Sequence, residues 1–178
     1  MTRKIISAFF ALILGATTFA ASADAENYKL ERYGDIAQVG IPAAGLLLAF
    51  AQEDYEGAVQ ALEGAFWTFG ITQAVKYGLD AERPNGGGRS FPSGHTSAAS
   101  QGAAFIYFRY GPKYGIPAYA AAALVGYSRV ENDYHYWHDV AAGMALATGV
   151  QYLVTKKGWS MTASPKMGGF NVMGSWKF

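Results

Sequence analysis

The chain contains no cysteine. Disulfides and thiolate chemistry are therefore excluded, and the redox state of its compartment leaves no mark. Charge is scarce as well: 15% of the 178 residues are Asp, Glu, Lys or Arg, against about 25% in an average soluble domain. Neither sign prevails. A formal net charge of +1 lacks the basic excess that marks a nucleic-acid binder, so no nucleic acid is expected as a partner. Histidine occurs only as His95, His135 and His138. Internal repeats and low-complexity tracts are missing.

What remains is apolar and small. Hydrophobic residues make up 51% of the chain, and there are 22 glycines. This balance points to a membrane or to a tight helical bundle, although a mean hydropathy of +0.06 is low for a protein living mostly in lipid. The length allows one domain with a real core.

Arg3 and Lys4 precede the apolar run "IISAFFALILGA" at 5–16, and "ASA" at 21–23 places small residues where a signal peptidase needs them. Residues 1–23 therefore read as a secretory leader cut after about Ala23, with a retained first membrane helix as the alternative. Export to the periplasm, or to the periplasmic face of a bacterial membrane, follows. Residues 24–158 are expected to be the helical domain and 159–178 a separate tail.

Within the domain, residues 24–33 are polar and read as loose. Helices are expected over 36–52, 55–79, from about Ser93 to Tyr107, over 116–128 with Pro117 in its first turn, and over 137–155. Pro84, Pro92 and the glycines 86, 87, 88 and 94 make 80–94 a loop, Gly111 and Pro112 a break, and "RVENDYHY" a link. The fold class is all-α, a compact bundle of about five helices after the leader. In the tail, apolar residues alternate at Trp159, Met161 and Ala163 and again from Phe170 to Phe178 around "SPKMGG", the pattern of a β-hairpin. Uncharged segments of about 15–17 residues fall short of the roughly 20 that span a bilayer. Their Ala and Gly permit close packing in water or in lipid. The balance favours a bundle at the membrane surface or partly embedded in it.

Three polar clusters interrupt these apolar helices: "KYGLDAERP" with Lys76 and Arg83, "PSGH" at 92–95, and "SRVENDYHYWHD" with Arg129, His135 and Asp139. Each lies at a helix end or in a loop, so they can converge on one mouth. Three cations gathered there would repel unless an anion sat among them, and the Arg fork matches phosphate oxygens. Backbone amides at the helix start after Pro92 add an anion cradle, and Ser93 adds a hydroxyl. His135 and Asp139 are four apart, which on one helical turn puts them on a shared face. A carboxylate on one imidazole nitrogen leaves the other free to attack; the competing reading of the pair is a helix N-terminal cap. His95 is a poor choice at a helix start, because the dipole disfavours its charged form. It fits better as a group that loses a proton beside bound phosphate.

These clusters match K-x6-R-P, P-S-G-H and S-R-x5-H-x3-D, and so the chain resembles the type 2 phosphatidic acid phosphatase superfamily over residues 76–139. That superfamily spans lipid phosphatases, bacterial acid phosphatases and vanadium haloperoxidases. The resemblance implies an all-α fold and no cofactor, with vanadate as an inhibitor. It implies His135 as a nucleophile forming a phosphohistidine, Asp139 as its orienting partner and His95 as general acid, then base. Lys76, Arg83, Ser93, Gly94 and Arg129 become the phosphate-binding set. Trp67, Trp137 and the many tyrosines, read as an interfacial belt, favour a lipid-linked substrate such as phosphatidic acid, undecaprenyl pyrophosphate or lipid A. A broad-specificity soluble periplasmic acid phosphatase is the alternative, and a haloperoxidase the remaining family option. Two readings lie outside the family: a zinc hydrolase using His95, His135 and His138, and a non-enzymatic envelope bundle.

Overall fold

The computed structural model describes residues 23–158, 160–166 and 169–175, with side chains from 28 to 158. They form an all-α bundle of α1 (Ala23–Ala51), α2 (Tyr55–Leu79), α3 (Gly94–Tyr110), α4 (Pro112–Glu131) and α5 (Trp137–Lys157). Past α5, the backbone of Ser160–Lys166 pairs antiparallel with Gly169–Ser175, Ser160 facing Ser175. The leader expected over residues 1–23 lies outside the described residues except for Ala23.

Helix α3 is the centre and packs against the other four helices. Its apolar residues are small on most sides, and Ala99, Ala103, Ala104, Phe105 and Ile106 are fully buried. Side chains of that size let neighbouring backbones come close, which suits a bundle with so little charge. At one end of α3, Arg109 donates to both carboxylate oxygens of Asp54, the N-cap of α2, at 2.7 and 2.5 Å, and Tyr110 Oη adds a third bond at 2.9 Å. Arg109 is the main reason the Asp54 carboxyl is held down to about 2. Midway, the buried Gln101 amide donates to Gln151 Oε1 at 2.8 Å and to the Ala61 carbonyl at 3.0 Å. It thereby joins α2, α3 and α5.

The other end of α3 carries the polar clusters. A Cβ on Gly143 of α5 would stand 2.7 Å from the Ser93 carbonyl and 2.9 Å from Ser97 Oγ. Only a glycine lets the first turns of α5 close on the start of α3, and the Ser93 amide donates to the Asp139 carbonyl across the gap at 3.0 Å.

Three helix boundaries differ from the sequence expectation. Residues 24–33 are not loose: α1 is continuous from Ala23. Tertiary bonds override the polar composition, because Tyr33 Oη donates to the Ala121 carbonyl at 2.9 Å and the Glu31 carbonyl accepts from Arg129 at 2.6 Å. Pro112 does not interrupt a helix but begins one, at a first-turn position where a missing N–H costs nothing. Gly111, at φ +90°, closes α3 just before it. Helix α4 also continues to Glu131, which places Arg129 in a last helical turn rather than in a link.

Candidate active site

Lys76 reaches the site from the last turn of α2, buried, with Nζ donating to the carbonyls of Arg89 and Ser90 at 2.7 and 3.2 Å. Arg83 comes from the loop before α3, where Nε donates to the Gly88 carbonyl at 3.0 Å. Gly94 and His95 open α3. Arg129 is 3% exposed; its guanidinium donates to Ser128 Oγ, Asp35 Oδ1 and the Glu31 carbonyl at 3.0, 2.9 and 2.6 Å. These five residues and His135 line one cavity of about 800 Å³.

Ser93 and Asp139 stand behind that wall rather than on it. Ser93 is the N-cap of α3, and its Oγ accepts from the amide and hydroxyl of Thr96 at 3.4 and 3.0 Å. It shapes the helix start, where Gly94 and His95 line the cavity.

His135 and Asp139 do not share a helical face, as the spacing alone suggested. His135 lies in the turn before α5, and Tyr136 is the N-cap. Asp139 Oδ2 accepts from the Tyr136 amide at 3.0 Å, as a capping residue does, and meets His135 Nδ1 at 3.4 Å. One carboxylate oxygen thus caps the helix start and touches the imidazole. The carboxylate also accepts from Ser90 Oγ at 2.5 Å, and Ser90 Oγ lies 3.4 Å from the same imidazole nitrogen. With Nδ1 engaged on this side, Nε2 is the nitrogen left for chemistry.

The charges set the protonation states. Burial first, then Lys76 and Arg83, push the His135 imidazole below its ordinary value, against the pull of Asp139. It is therefore neutral at physiological pH, the form a nucleophile needs. Burial, then Arg83, pushes Lys76 down to about 8. Lys76 is charged below that value and neutral above it. KM for a phosphate ester is therefore expected to rise as pH passes about 8, and Lys76→Arg, which holds its charge, is expected to flatten that rise. Steady-state kinetics between pH 6 and pH 10 check this, and an unchanged KM profile in the variant would refute it.

The three histidines do not meet. His138 is 69% exposed at its side chain and stacks on Tyr136 with ring centroids 5.2 Å apart. Nε2 of His138 lies 3.0 Å from Asp139 Oδ1, and the residue does not line the cavity that His95 and His135 share. Among the described residues, no three His, Asp or Glu side chains are grouped to hold a metal ion. The zinc reading built on His95, His135 and His138 therefore has no supporting geometry.

Residues outside the motifs also build the site. Ser90 is fully buried and ties Asp139 to His135. Asp35 bonds both His95 and Arg129. Tyr134 lies under the Arg129 guanidinium at 5.4 Å and donates to Glu31 Oε1 at 2.6 Å. Ser90 carries no sequence signal, being one serine in a Gly-rich loop. Asp35 had one: it is the sole charge between Gly34 and Gln52.

A model of the PAP2 superfamily matches residues 53–161. The lipid A 4'-phosphatase of Helicobacter pylori J99 is 31% identical over 172 residues, covering 87% of this chain and 84% of that one. The lipid A 1-phosphatase of Porphyromonas gingivalis is 33% identical over 110 residues, which is 49% of this chain and 25% of that longer protein. In fold, the crystal structure of Aquifex aeolicus LpxE superposes with a TM-score of 0.67 at 18% identity, over 85% of this chain and 94% of that one.

Proposed function

From the premise that this chain belongs to the PAP2 superfamily and is a phosphatase, we propose that it removes phosphate from a lipid-linked substrate of the lipid A type, through a phosphohistidine on His135 and without a metal. The observation that carries the lipid assignment is a second cavity. An apolar groove of about 280 Å³ runs between α1 and α2, walled by Val39, Ala43, Leu46, Leu62 and Phe105. It shares Gln38, Pro42, Ala65 and Gln101 with the cationic cavity. A phosphate at the cationic end leaves an acyl chain free to follow the groove outward.

The groove leads to an apolar exterior. Val39, Leu47 and Phe50 on α1 and Leu62, Phe66 and Phe69 on α2 are all more than half exposed. The stretch Tyr28–Ala51 is long and apolar enough to cross a membrane. Exposed apolar area of this kind marks a partner or a membrane, and a phosphorylated lipid already resides in one. The named activities of the two phosphatase relatives, both on lipid A, support the same substrate class.

In the proposed reaction Nε2 of His135 attacks phosphorus. An N–P bond forms, the bond to the leaving oxygen breaks, and His95 supplies that oxygen with a proton. Asp139 holds Nδ1–H and balances the charge that grows on the ring. Lys76, Arg83, Arg129 and the amides at the start of α3 hold the non-bridging oxygens, where charge accumulates in the transition state. His95, now neutral, takes a proton from water. The hydroxide displaces His135 and inorganic phosphate leaves.

The test is phosphate release from lipid A and phosphatidic acid in detergent, beside p-nitrophenyl phosphate, with EDTA or vanadate added. Turnover that favours the lipids, survives EDTA and is blocked by vanadate is expected. Equal kcat/KM on lipid and soluble esters would point to a broad-specificity acid phosphatase instead. Loss on chelation that zinc restores would sink the metal-free mechanism.

A further inference from the structure

Helix α1 lies wholly before the residues matched by the family model, yet it forms one wall of the phosphate cavity. Its approach is close. A Cβ on Gly34 would collide with Ser128 Oγ and with the Arg129 guanidinium. The Glu31 carbonyl accepts from Arg129 one turn earlier at 2.6 Å. One residue beyond Gly34, a single oxygen of Asp35, Oδ1, meets Arg129 NH1 at 2.9 Å and His95 Nε2 at 3.1 Å. The other ring nitrogen of His95 has no protein partner among the described residues.

We infer that Asp35 is a positioning residue for the acid–base histidine, forming with His95 a second carboxylate–imidazole pair that answers the Asp139–His135 pair across the cavity. The inference rests on the phosphohistidine reading above. The first pair is built within one motif, by residues four apart. The second is assembled from α1 and the start of α3, by residues 60 apart. A carboxylate on one nitrogen fixes the tautomer and ring orientation and makes the other nitrogen a better base. Through Arg129, the same oxygen ties the acid–base group to a cation of the phosphate site.

Asp35 also opposes the surroundings of His95. Burial, Arg129 from α4 and Arg83 from the loop before α3 all press that imidazole toward its neutral form; Asp35 alone pulls the other way and offsets them only in part, so the group stays below its ordinary value. Lys76 of α2, Arg89 of the same loop and His135 line the cavity with it, and Glu31 of α1 is the other carboxylate there. Nearly every charge near His95 is positive, so without Asp35 little would keep a proton on the general acid. The sign follows. His95 donates in the first step, so phosphoenzyme formation fails as pH rises through its titration. Removing the carboxylate moves that failure to lower pH.

The experiment compares wild type, Asp35→Asn and Asp35→Glu in single-turnover phosphoenzyme formation at saturating substrate across pH. One substrate has an alkyl leaving group, and p-nitrophenyl phosphate has a leaving group that needs little acid help. Asp35→Asn is expected to slow the alkyl ester about 10–100-fold, to slow p-nitrophenyl phosphate far less, and to shift the alkaline limb of the alkyl reaction downward. Asp35→Glu is expected to recover part of both effects. Equal losses on both substrates with an unmoved pH limb would reduce Asp35 to an anchor for α1 and overturn the inference. Faster reaction in Asp35→Asn would do so too, by making Asp35 an obstacle to substrate. Wild-type protein that releases phosphate without a trappable phosphohistidine would instead overturn the underlying mechanism, and this role with it.

Discussion

His135→Ala is expected to trap no labelled phosphate on acid quench and to lose about 10⁴–10⁶-fold in turnover, the scale on which removal of a nucleophile is felt. The reason is geometric. His135 is the one imidazole that both lines the cavity and has its Nδ1 against a buried carboxylate, Asp139 Oδ2 at 3.4 Å. The other histidine on that wall, His95, meets a carboxylate, Asp35, whose side chain is 52% exposed rather than buried. The protein should still fold, because the Asp139 cap bond to Tyr136 does not involve the imidazole; circular dichroism and thermal melting check that. His138→Ala serves as the control. That ring is exposed and stacked on Tyr136, so its removal should change turnover little. If His135→Ala still traps phosphate while His138→Ala does not, the nucleophile is His138 and the assignment falls.

The second large effect belongs to His95. Its replacement by alanine is expected to cost about 10²–10⁴-fold, the usual worth of general acid–base help, and the loss should depend on the substrate. An alkyl or sugar oxygen leaves poorly without a proton, whereas p-nitrophenolate leaves unaided. The first step on p-nitrophenyl phosphate should therefore recover in part. The second step, attack by water, has lost its base and should not. His95→Ala on that substrate should accumulate phosphoenzyme after a burst, which is the signature to measure. Inhibition by vanadate should persist, since Lys76, Arg83 and Arg129 remain. A His95→Ala variant equally slow on both esters, with no accumulation, would remove the acid–base role.

Why the residues that meet at the cavity were so legible in the sequence, and their supports so much less, has a physical cause. The three motifs place their residues by short-range geometry: a helix end for Lys76 and Arg129, a helix start for Gly94 and His95, a turn and cap for His135 and Asp139. Local rules fix such positions within a few residues, so spacing alone assembles the set. Asp35 and Ser90 reach the same site by tertiary contact, across 60 residues to His95 and 49 to Asp139, and no periodicity records that. Helix α1 shows the same limit. Residues 24–33 look loose because their polar groups are weighed alone, but the bonds to Ala121 and Arg129 that order them span 88 and 98 residues. The start of α4 was misplaced for a different reason: a proline can end one helix or begin the next, and only the backbone at Gly111 decides which.

The doubled duty of Asp139 has a consequence for reading genomes. A capping-box bond of this kind is worth about 0.3–1.5 kcal/mol, enough for selection on stability alone to preserve it. A descendant of this protein that had abandoned phosphatase work would still be pressed to keep the aspartate. The side chain of His135, by contrast, spends its polar contacts on Asp139 and Ser90 and caps nothing, so folding gives little reason to retain it. In a newly sequenced relative, an intact aspartate at this position is weak testimony to a living enzyme, and an intact histidine four residues earlier is strong testimony.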